Sequence, residues 1–394
     1  MHVIRSGAAG VAPADALLEK LRSGRQLVAK LGVDPTAPDL HLGHAVPLRK
    51  LRQFQDLGHK VVLIIGDFTA LIGDPSGRNT TRPALTGEEI EVNAQTYIEQ
   101  AFRILDPDAT EMRRNSEWLS PLGFADVLRL TSRFTIARIL ERDDFQKRYR
   151  EGVGISLHEF LYPVAQAYDS VAVRADVEIG GTDQLFNLLA GRELMEKLGL
   201  EPQVCLTLPL LEGTDGVQKM SKTYGNYIGL TDEPDDMFGK VMSIPDELTV
   251  KYFRLATSVP VGEVDAIEAA LVSGEAHPGE VKRRLAREIV ALYHGQKAAD
   301  SAEEAFDRVF KRHEAPEEMR SHVLAEETVY LPKVLEDLGF ATSRSESRRL
   351  IDQGGVRIDG RPVTMYGGDR AAFVGVLQVG RRHWARLVLP RSET

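Results

Sequence analysis

An unbroken run of branched apolar residues, Val61-Val62-Leu63-Ile64-Ile65, is the feature that most restricts the fold of this chain. A strand with one face in solvent alternates apolar and polar residues, whereas an unbroken run is typical of a central strand covered on both faces. Residues 26–33 form a second candidate strand, and helical patterns lie between and after the two. The alternation predicts a parallel sheet with helices on both faces.

Two more candidate strands, residues 174–180 and 204–211, follow a helix predicted over 157–170. Residues 1–230 are therefore predicted to form an α/β domain with a doubly wound parallel sheet, a fold that often binds nucleotides, with a helical segment inserted at about 120–170.

From about residue 231 the pattern changes to charged amphipathic helices, which predicts an all-helical domain over 231–328. One predicted helix has an apolar face made of Val281, Leu285, Ile289 and Leu292. Four basic residues are expected to face away from it: Lys282, Arg283, Arg284 and Arg287.

A small α+β module is predicted over residues 329–394. Ser343 followed by Glu346 is a capping-box start, and Gly354-Gly355 ends that helix. A hairpin is predicted over 356–363, with its turn at Asp359-Gly360.

Composition excludes several classes of protein. The 394 residues carry a net charge of −9 and one cysteine, Cys205, so an internal disulfide and a thiolate-rich zinc cluster are excluded. No apolar stretch approaches a membrane span and no secretory signal is recognisable, so we expect a cytoplasmic protein that does not contact membranes. Residues 341–394 contain ten arginines against five carboxylates, which makes this end the basic part.

The segment His41-Leu42-Gly43-His44, here called the His signature, places two imidazoles three residues apart near a predicted helix start. Both can reach one ligand, and a helix N-terminus favours phosphate. Gly43 leaves room for a flat adenine ring. The alternatives are a surface histidine pair or two zinc ligands.

The segment Lys219-Met220-Ser221-Lys222, here called the Lys signature, lies in a loop containing Gly213, Gly216 and Gly225. Ammonium groups that engage most strongly when charge grows on the α-phosphate and pyrophosphate accelerate adenylate formation. Two loop lysines are usually just solvated, but the two signatures together predict a clamp for ATP phosphates.

Three polar residues, Tyr162, Gln166 and Asp169, share one face of a predicted helix and suggest a pocket; the alternative is a solvated face. The segments 73–77 (Gly-Asp-Pro-Ser-Gly) and 180–184 (Gly-Gly-Thr-Asp-Gln) follow or end candidate strands, where open α/β sheets hold ligands. Taken singly, each is more typical of an ordinary turn.

On its two signatures the chain resembles the class I aminoacyl-tRNA synthetases. With Asp34-Pro35-Thr36, Asn115 and Trp118 added, it is similar to the bacterial tyrosyl-tRNA synthetases over nearly its whole length. The resemblance implies a Rossmann-type catalytic domain (1–230), a helical anticodon-binding domain (231–328) and an S4-like RNA-binding domain (329–394). It also implies ATP with Mg²⁺, L-tyrosine and tRNA(Tyr) as partners, no tightly bound prosthetic group, no dedicated metal site, and a homodimer.

The resemblance also assigns residues. The catalytic set is Thr36, His41, His44, Lys219 and Lys222. Further ATP-binding residues are Gly32, Asp34, Gly43, Gly180, Asp183, Met220 and Ser221. The tyrosine-binding set is Lys30, Asp74, Asn115, Tyr162, Gln166, Asp169 and Gln184, with Asp169 meeting the phenol. Lys30 stands where many members have a tyrosine that contacts the phenol, which places it in a second bacterial subgroup.

The tRNA-binding set is Arg344, Arg348, Arg349, Arg381 and Arg382, with Arg386 and Trp384 close by in the sequence. Phosphate-backbone contacts are one use for these arginines, and a solvated basic face is the alternative.

Three rival functions stay open at this point: an ATP-using nucleotidyl transferase, a catalytically silent synthetase-like RNA-binding protein, and another class I synthetase, the one for tryptophan. The first has no need for both a helical domain and a basic tail, and intact signatures argue against the second.

Overall fold

A six-stranded sheet forms the centre of the larger of two compact units, Met1–Gln296 and Lys297–Thr394. The computed structural model describes residues 1–36, 38–74, 86–310, 319–380 and 383–390. In chain order the strands of the large sheet are β1 (Gly10–Ala12), β2 (Val28–Val33), β3 (Lys60–Ile65), β4 (Thr110–Arg114), β5 (Val177–Gly181) and β6 (Val204–Leu208). Their spatial order is β1-β6-β5-β2-β3-β4, and only the pairing of β1 with β6 is antiparallel.

Helices surround this sheet and continue beyond it. They are α1 (His2–Arg5), α2 (Ala14–Arg22), α3 (Leu42–Asp56), α4 (Thr69–Ile72), α5 (Gly87–Ala101), α6 (Ser116–Leu119), α7 (Phe124–Thr131), α8 (Ile136–Ile139), α9 (Asp143–Arg150), α10 (Leu161–Val173), α11 (Leu185–Lys197), α12 (Pro234–Ser243), α13 (Thr249–Ala256), α14 (Val261–Ser273) and α15 (Pro278–His294). In the part of the chain that the structure describes, no helix combines the length and the apolar character needed to cross a bilayer.

The predicted strands are confirmed, with shifted ends. The run Val61–Ile65 is buried along its whole length within β3, as expected of a central strand. β5 begins at Val177 because Arg174, with φ 51°, ends α10 in a left-handed turn. β6 ends at Leu208 because Pro209 has no N–H to donate to a ladder.

The order of the strands creates a cleft. β2 pairs with β3 on one side and with β5 on the other, so the chain leaves β2 and β5 in opposite directions. A doubly wound sheet has its ligand crevice at this switch point, at the carboxyl ends of the strands. Asp34 directly follows the carboxyl end of β2, and Asp183 lies shortly after the carboxyl end of β5.

The prediction for α15 is wrong at two positions. Lys282 and Arg283 do not face solvent but are buried, because α15 packs against both α12 and α13. The Lys282 ammonium reaches the edge of this contact, where it donates to the Ile244 carbonyl at 2.7 Å and pairs with Asp246. A long basic side chain can bury its methylene stem in this way while its charge keeps polar partners.

The second unit is an α+β module. Its elements are α16 (Gln296–Phe310), β7 (Arg320–Val323), β8 (Thr328–Tyr330), α17 (Leu331–Asp337), α18 (Arg344–Asp352), β9 (Val356–Ile358), β10 (Arg361–Pro362), β11 (Gly367–Asp369), β12 (Gly375–Val379) and β13 (His383–Val388). One sheet has the order β10-β9-β12-β13-β7, and β11 pairs with β8.

Local signals in this module behave as predicted. Ser343 caps α18 by accepting the Glu346 N–H at 3.2 Å. The Glu346 carboxylate, however, accepts from Thr342 and not from the Ser343 N–H. The hairpin of β9 and β10 turns at Asp359-Gly360, where φ is 48° and 76°, as a two-residue type I′ turn requires.

Candidate active site

A cavity of about 320 Å³ lies at the carboxyl ends of β2 and β5. Fourteen residues of the predicted site line it: Gly32, Asp34, Thr36, Gly43, His44, Asp74, Asn115, Tyr162, Gln166, Asp169, Gly180, Asp183, Gln184 and Lys219. Five others lie behind or beside it: Lys30, His41, Met220, Ser221 and Lys222. Segments distant in sequence therefore meet at one site.

Backbone hydrogen bonds join the start of the His signature to the segment that follows the Lys signature. The Leu42 N–H donates to the Ile228 carbonyl, and the Leu230 N–H donates to the Leu40 carbonyl, each at 2.9 Å. The segment that follows the Lys signature thus forms a short antiparallel bridge with the start of the His signature. Lys222 also forms an ion pair with Asp39, immediately before the His signature.

The two histidines sit at the N-terminus of α3, His41 as the N-cap and His44 in the first turn. Their ring centroids are 3.9 Å apart. The backbone N–H of His41 donates to His44 Nδ1 at 3.3 Å. Because Nδ1 accepts this bond, the proton of the neutral His44 ring is on Nε2. Because the His44 ring lines the cavity, its N–H can serve a ligand there.

These imidazoles are not cations, although the sequence allowed either charge state. Burial, together with the nearby charges of Lys222 and Lys219, lowers the pKa of His41 to about 2 and that of His44 to about 4. At neutral pH both rings are uncharged. They contribute hydrogen bonds to a ligand, while the lysines contribute the positive charge.

Two glycines make room at the site. A Cβ on Gly43 would lie 3.0 Å from the His41 ring, so the glycine accommodates the neighbouring imidazole as well as any ligand. A Cβ on Gly32 would project into open space at the end of β2, where Gly32 lines the cavity. A side chain at position 32 would therefore occupy the volume available to a ligand.

The loop of the Lys signature is organised by Asn226, which sequence reasoning missed. Its side-chain oxygen accepts the Ser221 N–H at 2.8 Å, and its amide donates to Asp215 at 2.9 Å. Lys219 lies nearest the cavity, with its Nζ 3.7 Å from Asp183. The loop thus holds one lysine at the cavity and the other beside Asp39.

One wall of the cavity carries a half-buried carboxyl, Asp34. It accepts hydrogen bonds from Tyr162 at 2.9 Å and from Thr69 at 2.7 Å. Burial raises the pKa of Asp34 to about 7, and the charge of Asp74 contributes to the rise. Thr69 lines the cavity but carries no sequence signal, since an isolated threonine is common anywhere.

Asp169 lies at another wall and is held by two donors. Trp118 Nε1 donates to one oxygen at 2.8 Å, and the Asn115 amide is 3.5 Å from the other. Burial raises the pKa of Asp169 to about 6, while Lys30 and these donors act in the opposite direction. The result is a largely ionised acceptor at neutral pH.

A closed ring of hydrogen bonds orients two more cavity residues. Arg142 donates to Asp74 at 2.9 Å and to Asn187 at 3.2 Å. Asn187 donates to Gln184 at 2.8 Å, and Gln184 donates to the second oxygen of Asp74 at 2.9 Å. Sequence reasoning missed Arg142 and Asn187, because their role depends on a contact between segments that are far apart in the chain.

Lys30, which was expected in the tyrosine pocket, does not line the cavity. Its side chain is fully buried and forms an ion pair with Glu178 at 3.0 Å. The two residues are register partners on β2 and β5, which is why they meet.

The predicted tRNA-binding arginines belong to the second unit. Arg344, Arg348 and Arg349 are exposed on α18, and the Arg348 guanidinium lies over the rings of Tyr330 and Tyr366. Arg381 and Arg382 lie outside the described residues, as does the 75–77 part of the segment 73–77.

Comparison with known proteins now identifies the family. Residues 22–311 match the model for class I tRNA synthetases of the W and Y group, and residues 331–367 match the S4 domain. A tyrosine–tRNA ligase of Moorella thermoacetica is 53% identical over 392 residues, which cover 98% of this chain and 95% of that protein. The chain belongs to the class I tyrosyl-tRNA synthetases.

Other relatives of this synthetase agree. The tyrosine–tRNA ligase of Thermotoga maritima is 54% identical over 377 residues, covering 94% of this chain and 92% of that protein. Among solved structures, the tyrosyl-tRNA synthetase of Archaeoglobus fulgidus, complexed with L-tyrosine, matches with a TM-score of 0.63 and 23% identity, covering 77% of this chain and 98% of that one. That likeness supports the fold, and confirms the doubly wound parallel sheet.

Among the described residues, no group of three or more His, Cys, Asp and Glu side chains has the arrangement of a metal site.

The raised pKa of Asp34 predicts a pH-dependent stability. Between about pH 4, where an unfolded aspartate titrates, and its folded pKa of about 7, the folded state binds one proton more than the unfolded state. The stability of the wild type therefore falls, relative to that of Asp34→Asn, as the pH rises through this window. Urea unfolding at a series of pH values measures the difference, which should level off above pH 7. A difference that stays constant throughout contradicts the assigned environment of Asp34.

Proposed function

We propose how this synthetase carries out its reaction. It activates L-tyrosine with ATP to give tyrosyl-adenylate and pyrophosphate, and then transfers the tyrosyl group to the 3′-terminal adenosine of tRNA(Tyr). One observation carries the proposal: the two signatures converge on the mouth of a cavity whose walls carry carboxylates and amides, among them the buried Asp169 and Asn115.

The amino acid is bound by the polar walls. Asp169, held as a charged acceptor by Trp118, receives the phenol hydroxyl. Asp74 and Gln184, oriented by the hydrogen-bonded ring described above, take the ammonium and carboxylate ends. Phenylalanine has no hydroxyl and would leave the buried Asp169 without that partner, which costs more than the loss of one contact.

ATP is bound at the mouth, where it arrives as its Mg²⁺ complex. The neutral imidazoles of His41 and His44 donate hydrogen bonds to phosphate oxygens without the cost of burying two cations. Lys219 and Lys222 exchange their present partners for the phosphates as negative charge grows there. Thr36 joins this phosphate-binding set, and Gly180 with Asp183 binds the ribose.

The chemical steps balance without a covalent enzyme intermediate. A carboxylate oxygen of tyrosine attacks the α-phosphorus, the bond from that phosphorus to the bridging oxygen breaks, and its electron pair leaves with pyrophosphate. A hydroxyl of the terminal ribose of tRNA then attacks the activated carbonyl, AMP leaves, and the hydroxyl proton is released as the ester forms. The protein places the reacting groups and stabilises the charge that develops.

RNA recognition is assigned to the rest of the chain. We propose residues 1–230 as the catalytic domain, 231–328 as the anticodon-binding domain and 329–394 as the S4-like domain. The S4 match and the exposed arginines of α18 support the last assignment. The similar tyrosine–tRNA ligases are bacterial, and we propose that this protein acts in the cytoplasm.

We also propose a homodimer. Large apolar side chains of the larger unit are exposed on α7, on α8 and just before α10: Phe124 at 80%, Leu128 at 53%, Ile136 at 70% and Leu157 at 82%. Several large apolar side chains exposed within one short segment of the chain are typical of a protein–protein interface. We propose that a second copy of the chain covers these side chains.

The decisive experiment is ATP–pyrophosphate exchange with each amino acid in turn. Exchange that depends on tyrosine supports the proposal. Exchange that depends on tryptophan, or none at all, contradicts it in favour of the rival functions.

Lys222→Ala should lower the tyrosine-dependent exchange rate about 100-fold or more, because it removes a cation that engages chiefly in the transition state. The dissociation constant for tyrosine, measured by calorimetry, should stay near the wild-type value. Lys240→Ala is the matched control, since Lys240 also lies over the Tyr227 ring but pairs with Asp232. Equal losses of rate and tyrosine affinity contradict this role for Lys222.

Arg344→Ala/Arg349→Ala should weaken tRNA binding and reduce the slope of log affinity against log salt concentration by about 1 to 2, because two phosphate contacts disappear. Tyrosyl-adenylate formation should not change. Arg5→Ala/Arg22→Ala removes two exposed cations from the other unit and serves as the control. An unaltered salt slope in the α18 variant contradicts the assignment.

Phe124→Asp/Leu128→Asp should convert the dimer to a monomer, because it places charges in an apolar interface. Light scattering coupled to size-exclusion chromatography measures the mass. Val272→Asp, at a side chain that is 85% exposed on α14, is the control and should leave the mass unchanged. A wild-type monomer, or a dimer that survives both aspartates, excludes this interface.

A further inference from the structure

A cluster of buried polar side chains lies directly behind the cavity, between the sheet and the helices α10 and α11. At its centre is the ion pair of Lys30 and Glu178, whose side chains are 0% and 1% exposed. Glu178 also accepts from Gln166 at 3.1 Å, from Ser170 at 3.1 Å and from Gln203. Two charges are thus buried in the core of the catalytic unit.

Stability alone is a weak reason for such a pair. Removing two charges from water is expensive, and a buried ion pair often stabilises a protein no more than apolar side chains of equal volume do. The neighbouring backbone nonetheless leaves room for the polar cluster at Gly191. A Cβ there would lie 2.7 Å from Gln203, 2.9 Å from Ser170 and 3.2 Å from Glu178. The cluster therefore calls for another role.

The first link to the cavity is Gln166. Its Nε2 donates to Glu178, and its Oε1 is buried with no hydrogen-bond partner among the described residues. A carboxylate only accepts hydrogen bonds, so Glu178 forces the NH₂ side of the amide toward the core. Gln166 lines the cavity, and the oxygen remains as an acceptor for a bound donor.

The second link is Asp169, one turn further along α10. Lys30 is the largest influence that favours the charged form of this carboxyl. Trp118 and Asn115 favour it as well through hydrogen bonds, whereas the charge of Glu178 opposes it. Asp34, another carboxyl at the cavity, also interacts with Asp169.

We propose that the buried Lys30–Glu178 pair is a positioning device for the amino-acid pocket: Glu178 fixes the amide of Gln166 with its oxygen toward the substrate ammonium, and Lys30 holds the Glu178 carboxylate in place between β2 and β5. This inference rests on the proposed function of the cavity. Neither residue of the pair touches the substrate, so both act through other side chains.

The isosteric variant Glu178→Gln tests the first half. A carboxamide at position 178 can donate or accept, so it no longer dictates the orientation of the Gln166 amide. The KM for tyrosine in ATP–pyrophosphate exchange should rise about tenfold, as expected for the loss of a hydrogen bond to a charged group. The KM for ATP should not change.

The double variant Lys30→Met/Glu178→Gln adds a pH readout for Lys30, because it differs from Glu178→Gln only in lacking the ammonium group. Without that charge the pKa of Asp169, which is about 6 in the wild type, should rise. The acid limb of the pH profile of kcat/KM for tyrosine should then lie about one pH unit higher than in Glu178→Gln.

A matched control is available between α2 and the residue that precedes β5. Lys20 and Asp176 form a similarly buried ion pair at 2.9 Å, next to the amino end of β5 and away from the cavity lining. Lys20→Met/Asp176→Asn should leave the KM for tyrosine and the acid limb unchanged, whatever its effect on the melting temperature.

The outcomes separate the possibilities. An unchanged KM for tyrosine in Glu178→Gln overturns the proposal, and that variant decides it alone if the double variant does not fold. A control that shifts KM and the acid limb as much as the test variants also overturns it, because the effects would then reflect general loss of stability. A wild-type enzyme with no tyrosine-dependent exchange instead shows that the proposed function itself has failed.

Discussion

The short antiparallel pairing of residues 40–42 with residues 228–230 is the contact on which the site depends. It joins the start of α3, which carries the His signature, to the segment that follows the Lys signature. Because these are backbone hydrogen bonds, they fix the two segments in register. Without this pairing, the lysines would sit on a loop with no defined relation to the imidazoles.

Charge is distributed along the cavity to suit two different substrates. The mouth combines the positive charge of Lys219 and Lys222 with neutral imidazoles, which suits a polyphosphate that gains negative charge as it reacts. The walls carry Asp34, Asp74 and Asp169, which suit an ammonium group and a hydroxyl donor. Burial raises the pKa of two of these carboxyls toward neutrality, so their ionisation depends on the cations and donors placed behind them.

Much of the architecture and of the cavity lining was predictable from local signals. The apolar run of β3, the Ser343 cap and the Asp359-Gly360 turn each depend on neighbours within a few residues, and all three are present. The prediction for α15 was wrong at Lys282 and Arg283, because periodicity shows one apolar face and cannot show that a second element covers the next face. The assignments of individual residues to ATP, tyrosine and tRNA stay predictions.

The sequence by itself determined the types of element, the family and the residue types that carry the chemistry, since these depend on short-range pattern and on the two signatures. Only the tertiary structure decided which groups support them. Arg142, Asn187 and Asn226 act through contacts between segments far apart in the chain, and the pairing of Lys30 with Glu178 depends on the register of β2 against β5. The charge of the histidines was likewise decided by burial, a property that arises only when the chain has folded around them.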